Sequence, residues 1–314
     1  MLDPQAEVIL RRLTSGPPLN RVGVDGARDW SRQRAKPPAA DVPVHAIDMT
    51  VPGQPPVAVR LYRPSGPQAS TLAPLPTILF LHGGGWILGD LDGSDWTCRQ
   101  LCAQSGCPVV SVDYRLAPEH PYPEPLQDCL AVLRWALADG PGFGLDPARI
   151  AVAGESSGGQ LAVSLCLAAR AEALTGPILQ LLVCPVTDSR MNTQSWRDFG
   201  ADFLPCAEQM SWMWDLYCGQ PGLRHDPLIS VAEAPDLAGL PPAIVVTAEY
   251  DPLRDEGEQY AARLREAGSP ASVRRCAGQV HTVFGCAPFV DSCWLAFKQV
   301  AKEVSDSMRA VTGR

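Results

Sequence analysis

Nowhere in this chain of 314 residues does an apolar run approach the roughly 18 residues that a membrane-spanning helix needs. Basic residues are outnumbered, 26 Lys and Arg against 34 Asp and Glu, which leaves a formal net charge of −8. A surface of that sign repels phosphate, so neither nucleic acid nor an anionic membrane is an expected partner. Histidine is scarce: His45, His82, His120, His225 and His281 are all there are. No Cys-x-x-C and no spaced Cys/His cluster occurs, so no bound metal is expected. The start, Met1-Leu2-Asp3-Pro4-Gln5-Ala6-Glu7-Val8, carries acids before any apolar core, and Arg11-Arg12 interrupts the apolar positions after it. It does not read as a signal peptide. Internal repeats and low-complexity segments are lacking too.

Cysteine is the residue in surplus. Eleven is an odd number, and Cys166 and Cys184 fall inside apolar stretches. They read as reduced, mostly buried thiols of a cytoplasmic protein rather than a disulfide framework.

Apolar segments alternate with helical ones along most of the chain. Val42 to Thr50 and Val57 to Tyr62 read as an antiparallel strand pair. Further strands are expected at Pro76 to Leu81, Pro108 to Val112, Arg149 to Ala153, Ile178 to Val183, Ala243 to Ala248 and Ala271 to Cys276. Helices are expected at Asp95 to Gln104, Pro125 to Ala138, Gly158 to Ala173, Leu253 to Ala267 and Phe289 to Met308. Such alternation marks an α/β fold, a mostly parallel central sheet with helices on both faces. Before it, residues 1 to about 40 offer a short amphipathic helix (Leu2, Ala6, Ile9, Leu10, Leu13) and linkers around Pro17-Pro18 and Pro37-Pro38.

Gly154-Glu155-Ser156-Ser157-Gly158 sits between an expected strand and an expected helix. Glycines there let strand and helix pass closely while the apex residue takes a strained backbone. The turn would lift the Ser156 hydroxyl clear of the sheet and leave the Ser157 amide at a helix N-terminus, where it can bind an oxyanion. A serine needs a base. His281 follows the last expected strand, in the loop Ala277-Gly278-Gln279-Val280-His281-Thr282, at the sheet edge where open α/β folds collect their sites. For the acid, Asp251 comes first after the strand Ala243 to Ala248, and Pro252 suits the start of the next helix. Asp255 and Glu256 compete with it, but both read as acids favoured near a helix N-terminus. The order Ser156, Asp251, His281 is that of α/β-hydrolases.

His82-Gly83-Gly84-Gly85-Trp86 directly follows the strand Pro76 to Leu81. Gly83 and Gly84 are expected to supply oxyanion donors beside Ser157, with His82 positional rather than basic. A dinucleotide-binding reading of Gly83, Gly85 and Gly89, with Asp113 as the ribose acid, fails at the next segment. Asp90-Leu91-Asp92-Gly93 would repel pyrophosphate where a helix N-terminus should hold it. Asp113 belongs instead to the proline-dense run to Pro123, with Arg115 expected to pair Asp113 or Glu119.

These motifs, with Asp251 to Gly257, resemble in order and spacing the hormone-sensitive-lipase-like carboxylesterases (bacterial lipolytic family IV) over about residues 76 to 285. Two departures stand out: Glu155 and Ser157 flank the nucleophile where the family usually has Asp and Ala, and Thr282-Val283-Phe284 replaces a glycine and an aromatic. The resemblance implies an α/β-hydrolase fold, ester hydrolysis, no cofactor and a helical cap. It implies a cap segment over residues 1–45, a core over 46–186 and 241–314, and a cap insertion over 187–240. Trp86 and, from the insertion, Phe203, Leu204, Met210 and Trp214 are the expected pocket residues. The expected reaction is hydrolysis of short- to medium-chain esters through an acyl-enzyme. An amidase or arylformamidase on the same triad is the nearest alternative, and a non-catalytic ligand receptor on a hydrolase scaffold is the alternative from another class. A small ester is the expected partner, and a homodimer is the one protein assembly left open.

Overall fold

The computed structural model describes residues 1–33, 37, 40–65, 73–220 and 222–310, so the linker at Pro37-Pro38 lies largely outside the described residues. Within them one sheet is built from β1 (Val44–Val51), β2 (Val57–Pro64), β3 (Leu75–Leu81), β4 (Val109–Asp113), β5 (Leu145–Glu155), β6 (Leu179–Val183), β7 (Ala243–Tyr250) and β8 (Ala271–Val280). Their order across it is β1-β2-β4-β3-β5-β6-β7-β8. β1 pairs β2, and β2 pairs β4, antiparallel; every other neighbour is parallel. The fold is that of the α/β-hydrolases.

Unbroken apolar runs make the central strands because both faces of the sheet are covered. Leu79 and Leu81 of β3, Ile150 and Val152 of β5 and Val245 of β7 face one core. Their alternates Ile78, Phe80, Ala151, Ala153, Ile244 and Val246 face the other. The first core is closed by α4 (Glu124–Ala138), α5 (Ser157–Ala171) and α8 (Arg254–Glu266). The second is closed by α3 (Asp95–Ser105) and α10 (Asp291–Ala310). No helix among the described residues is long and apolar enough to cross a membrane.

The N-terminal segment divides. α1 (Pro4–Thr14) begins at an Asp3 cap, whose carboxylate accepts from Gln5 N at 2.8 Å, and it buries Ala6 in the second core. It docks on β8 through Asp3 N to Gly278 O. A second helical segment, α2 (Leu19–Gln33), is kinked at Gly23, whose φ of 73° is non-helical, and it is not foreshadowed by the sequence because that kink breaks its period. Its Asn20 and Arg21 bond Glu208 at the start of α7 (Ala207–Cys218). Thus α2 meets the insertion, whereas α1 belongs with the sheet. The insertion also carries α6 (Gln194–Phe199).

Candidate active site

Three parallel strands end at the same edge of the sheet, with β6 between the first and the second, and a chemically distinct residue follows each. Ser156 follows β5, Asp251 follows β7 and His281 follows β8, which runs on to Val280 rather than stopping at Cys276. Ser156 takes φ 58°, ψ −121°, a backbone conformation that costs an L-residue on the order of 1–3 kcal/mol unless its surroundings hold it. They do: its N–H donates to Val183 O at 2.9 Å, and its carbonyl accepts from Val186 N at 3.1 Å. The glycines around it are there for space. A Cβ on Gly154 would lie 2.1 Å from Gly158 O, and one on Gly158 would lie 2.0 Å from Leu81 O.

A continuous line of hydrogen bonds joins the three. His281 Nε2 is 3.0 Å from Ser156 Oγ, and Nδ1 is 2.8 Å from Asp251 Oδ2. Asp251 Oδ1 accepts from Leu253 N at 2.9 Å, so both its oxygens are engaged inside the protein. Asp251 is wholly buried, while Ser156 and His281 keep 8% exposure each. Burial opposes charge on His281, but the Asp251 carboxylate at Nδ1, and beyond it Glu155, outweigh burial and hold the imidazole pKa above its ordinary value. That is the arrangement a general base needs: neutral imidazole before attack, a supported cation after it.

Glu155 has a task that its place in the motif does not reveal. Its Oε1 accepts from Phe284 N at 3.0 Å and Gly285 N at 3.3 Å, amides of the short helix α9 (Val283–Cys286) that opens after His281. Thr282, at φ 65°, makes the turn between them. The two departures from the family pattern thus meet: the longer acid reaches the altered loop. Cys184, just past β6, was equally hidden. Its sulfur and the ligand atoms of Asp251 and His281 lie within 4.8 Å of one another, and burial pushes its thiol pKa well up.

The glycine loop lies against the nucleophile. A Cβ on Gly83 would stand 2.9 Å from Glu155 O and 3.4 Å from Ser156 Cβ, so its backbone runs directly beside Ser156. Gly84, at φ 128°, accepts at its carbonyl from Leu88 N at 3.0 Å and closes the loop into a tight turn. His82 is positional. Burial lowers its pKa, its Nδ1–H donates to Gly83 O at 2.9 Å, and its ring stacks on Tyr114 at 4.2 Å.

The expected pocket residues do not all face a cavity. Trp86 and Trp214 have no exposed surface; Trp86 stacks on Tyr217 and meets Trp214 at a tilt, 4.4 Å from each ring. The Trp86 indole N–H donates to Gln160 Oε1 at 2.9 Å. A side chain without accessible surface packs rather than lines, so the pocket expectation is corrected for these two. Met210, at 2%, is nearly as closed. Phe203 and Leu204 keep partial exposure, and Phe203 stacks on Tyr250, the neighbour of Asp251, at 5.7 Å.

One further expectation is corrected, and another holds but is extended. Arg115 pairs neither Asp113 nor Glu119; it grips Asp128 at 2.8 Å and also Glu124. Glu119 pairs with Arg28 instead. Asp255 and Glu256 are more than acids at a helix start. Asp255 accepts from Ser195 N at 2.8 Å. Glu256, 1% exposed, accepts from Thr187 N at 2.7 Å, Asp188 N at 3.2 Å and the Trp196 indole at 2.7 Å. They anchor the insertion to α8.

A family model described as the α/β hydrolase fold matches residues 78–285. The chain is 37% identical to the esterase LipI of Mycobacterium tuberculosis over 91% of this chain and 90% of that one. It is 40% identical to the carboxylic ester hydrolase LipN of the same organism over 78% of this chain, a match that spans 65% of LipN. Among solved structures, a thermostable esterase from Pseudomonas putida is 31% identical with a TM-score of 0.89, over 98% of each chain.

Proposed function

The chain belongs to the hormone-sensitive-lipase-like family of carboxylic ester hydrolases in the α/β-hydrolase superfamily, and from that premise we propose which residues do the chemistry and on what. Ser156 is the nucleophile, His281 the base and Asp251 the acid that holds the imidazole tautomer. The observation that carries this assignment is the unbroken bond line at 3.0 and 2.8 Å from Ser156 Oγ through His281 to Asp251.

As Ser156 Oγ attacks the ester carbonyl, His281 Nε2 takes its proton and the Asp251 carboxylate stabilises the imidazolium. The amides of Gly83, Gly84 and Ser157 receive the oxyanion, each worth roughly 3–4 kcal/mol at the transition state. His281 then protonates the departing alcohol, leaving Ser156 acylated, and water repeats the sequence to release the acid. We assign the roof of the site to α2 and the insertion 187–240, with Phe203 and Leu204 as the side chains nearest the substrate. An apolar roof of this kind suits uncharged esters of short or medium acyl chain. None of the eleven cysteines is joined in a disulfide and ten of them are buried, which supports the reading that the protein works in the reducing cytoplasm. Any assembly is proposed to be a homodimer, and the edge strand β8, with Val273 37% exposed, is the surface that supports it.

The test is a panel of p-nitrophenyl esters of graded acyl length beside an anilide and a formamide. The expected result is a kcat/KM maximum at short to medium esters. Turnover of the anilide or formamide at the ester rate would replace esterase by amidase. No turnover of any acyl compound would remove the enzymatic reading.

A further inference from the structure

The oxyanion turn is bolted from outside by a residue of α2. Arg28 Nε donates to Ile87 O at 3.1 Å, and Nη2 donates to Ala117 O at 3.0 Å. Both acceptor residues are fully buried. Nη1 and Nη2 each reach a Glu119 oxygen at 2.7 Å, which fixes the plane of the guanidinium. Ile87 closes the turn that begins at Gly84, its N–H donating to Gly84 O at 3.3 Å. The Ala117 N–H donates to Trp86 O at 3.0 Å, so Ala117 joins the glycine loop through its N–H and the guanidinium through its carbonyl. Without Arg28, two carbonyls in a water-poor setting lose their partner, and the turn is free to shift.

We propose that Arg28 is a positioning residue for the oxyanion donors, acting on Gly83 and Gly84 through the Ile87 and Ala117 carbonyls. This rests on the triad reading above. Donor geometry matters only where charge develops, so the expected signature is a loss in kcat with KM little changed. A planar fork spans acceptors that a single ammonium cannot, so lysine is not a substitute here.

The experiment compares wild type, Arg28→Lys and Arg28→Ala on one p-nitrophenyl ester, with active sites counted by a serine-reactive phosphonate. Both variants are expected to lose about 10- to 100-fold in kcat per titrated site, the range a misplaced catalytic group produces, with KM within about twofold. The pH midpoint set by His281 should not move, and guanidinium ion should restore part of the Arg28→Ala rate with saturation. If Arg28→Ala does not fold, Arg28→Lys, which keeps the charge and the stem, decides the matter. Wild-type kcat per titrated site in Arg28→Lys, even with a lower melting temperature, overturns the proposal. So does a rise in KM with kcat unchanged, which would make Arg28 part of substrate access. A wild type that neither hydrolyses the ester nor takes up the phosphonate would instead defeat the triad reading, whatever Arg28 does.

Discussion

At the strand ends the backbone places the side chains; in the insertion the side chains place the backbone. Ser156, Asp251 and His281 are carried by β5, β7 and β8, whose positions are set by regular ladders such as Ala151 opposite Leu179 and Ala243 opposite Ala271. The described residues between 187 and 240 form no ladder. Many of their peptide groups are satisfied by side chains reaching out of the core. Gln160 donates to Leu228 O and Ile229 O, Arg170 to Asp236 O and Ala238 O, and Arg263 to Ala232 O and Ala234 O. Glu256 receives the first amides of the insertion. Damage to the first region should therefore show in the chemistry, and damage to the second in stability and roof geometry.

The acids of one short segment, Asp251 and Glu256, let that contrast be broken in a single experiment. Asp251→Asn should lower kcat by roughly 10³–10⁴ with a small change in melting temperature, because the wrong imidazole tautomer is favoured. The acid limb of kcat/KM, expected above the ordinary imidazole value because Asp251 outweighs burial at His281, should also move down. Paired measurements of rate and melting on purified variants check this. A kcat near wild type would place the acid elsewhere, with Asp255 next in line.

Glu256→Gln should act the other way, costing about 1–3 kcal/mol of stability with a far smaller loss of rate. The cost arises because one oxygen can still accept from Thr187 N and Asp188 N while the new NH2 faces the Trp196 indole N–H. This effect has a pH signature. Burial pushes the Glu256 pKa up to about 8, against the three hydrogen bonds that favour its charge. The folded protein then holds a proton that the unfolded chain has released, so this group's stabilisation is full below about 4.5 and fades as pH rises through about 8. The melting-temperature gap between wild type and Glu256→Gln should accordingly be widest near the acid end of that window and close toward its top. A gap that widens with rising pH would mean that Glu256 is charged in place.

The same contrast explains what could be read in the residues alone. Central strands such as Leu179–Val183 were legible because burial on both faces leaves an unbroken apolar run, and the turn at Ser156 was legible because close approach demands glycines. The insertion's ties were not, since they join residues far apart: Glu256 and Thr187 are 69 positions from each other. Trp214 was misplaced for a related reason. An aromatic on α7 reads alike whether it faces a cavity or, as here, the buried face of Trp86. Helix α2 and its Arg28 were hidden by a glycine that breaks the period, and Cys184 by the absence of any local spacing that could announce its neighbours.

The most direct test of the central claim is covalent. A serine-reactive phosphonate applied to the wild type should add one adduct, at Ser156, and abolish ester hydrolysis in proportion. Ser156→Ala should stay folded, take up no label and lose about 10⁴-fold or more in kcat. Labelling at a different serine, or a Ser156→Ala protein that turns over esters at near the normal rate, would contradict the account.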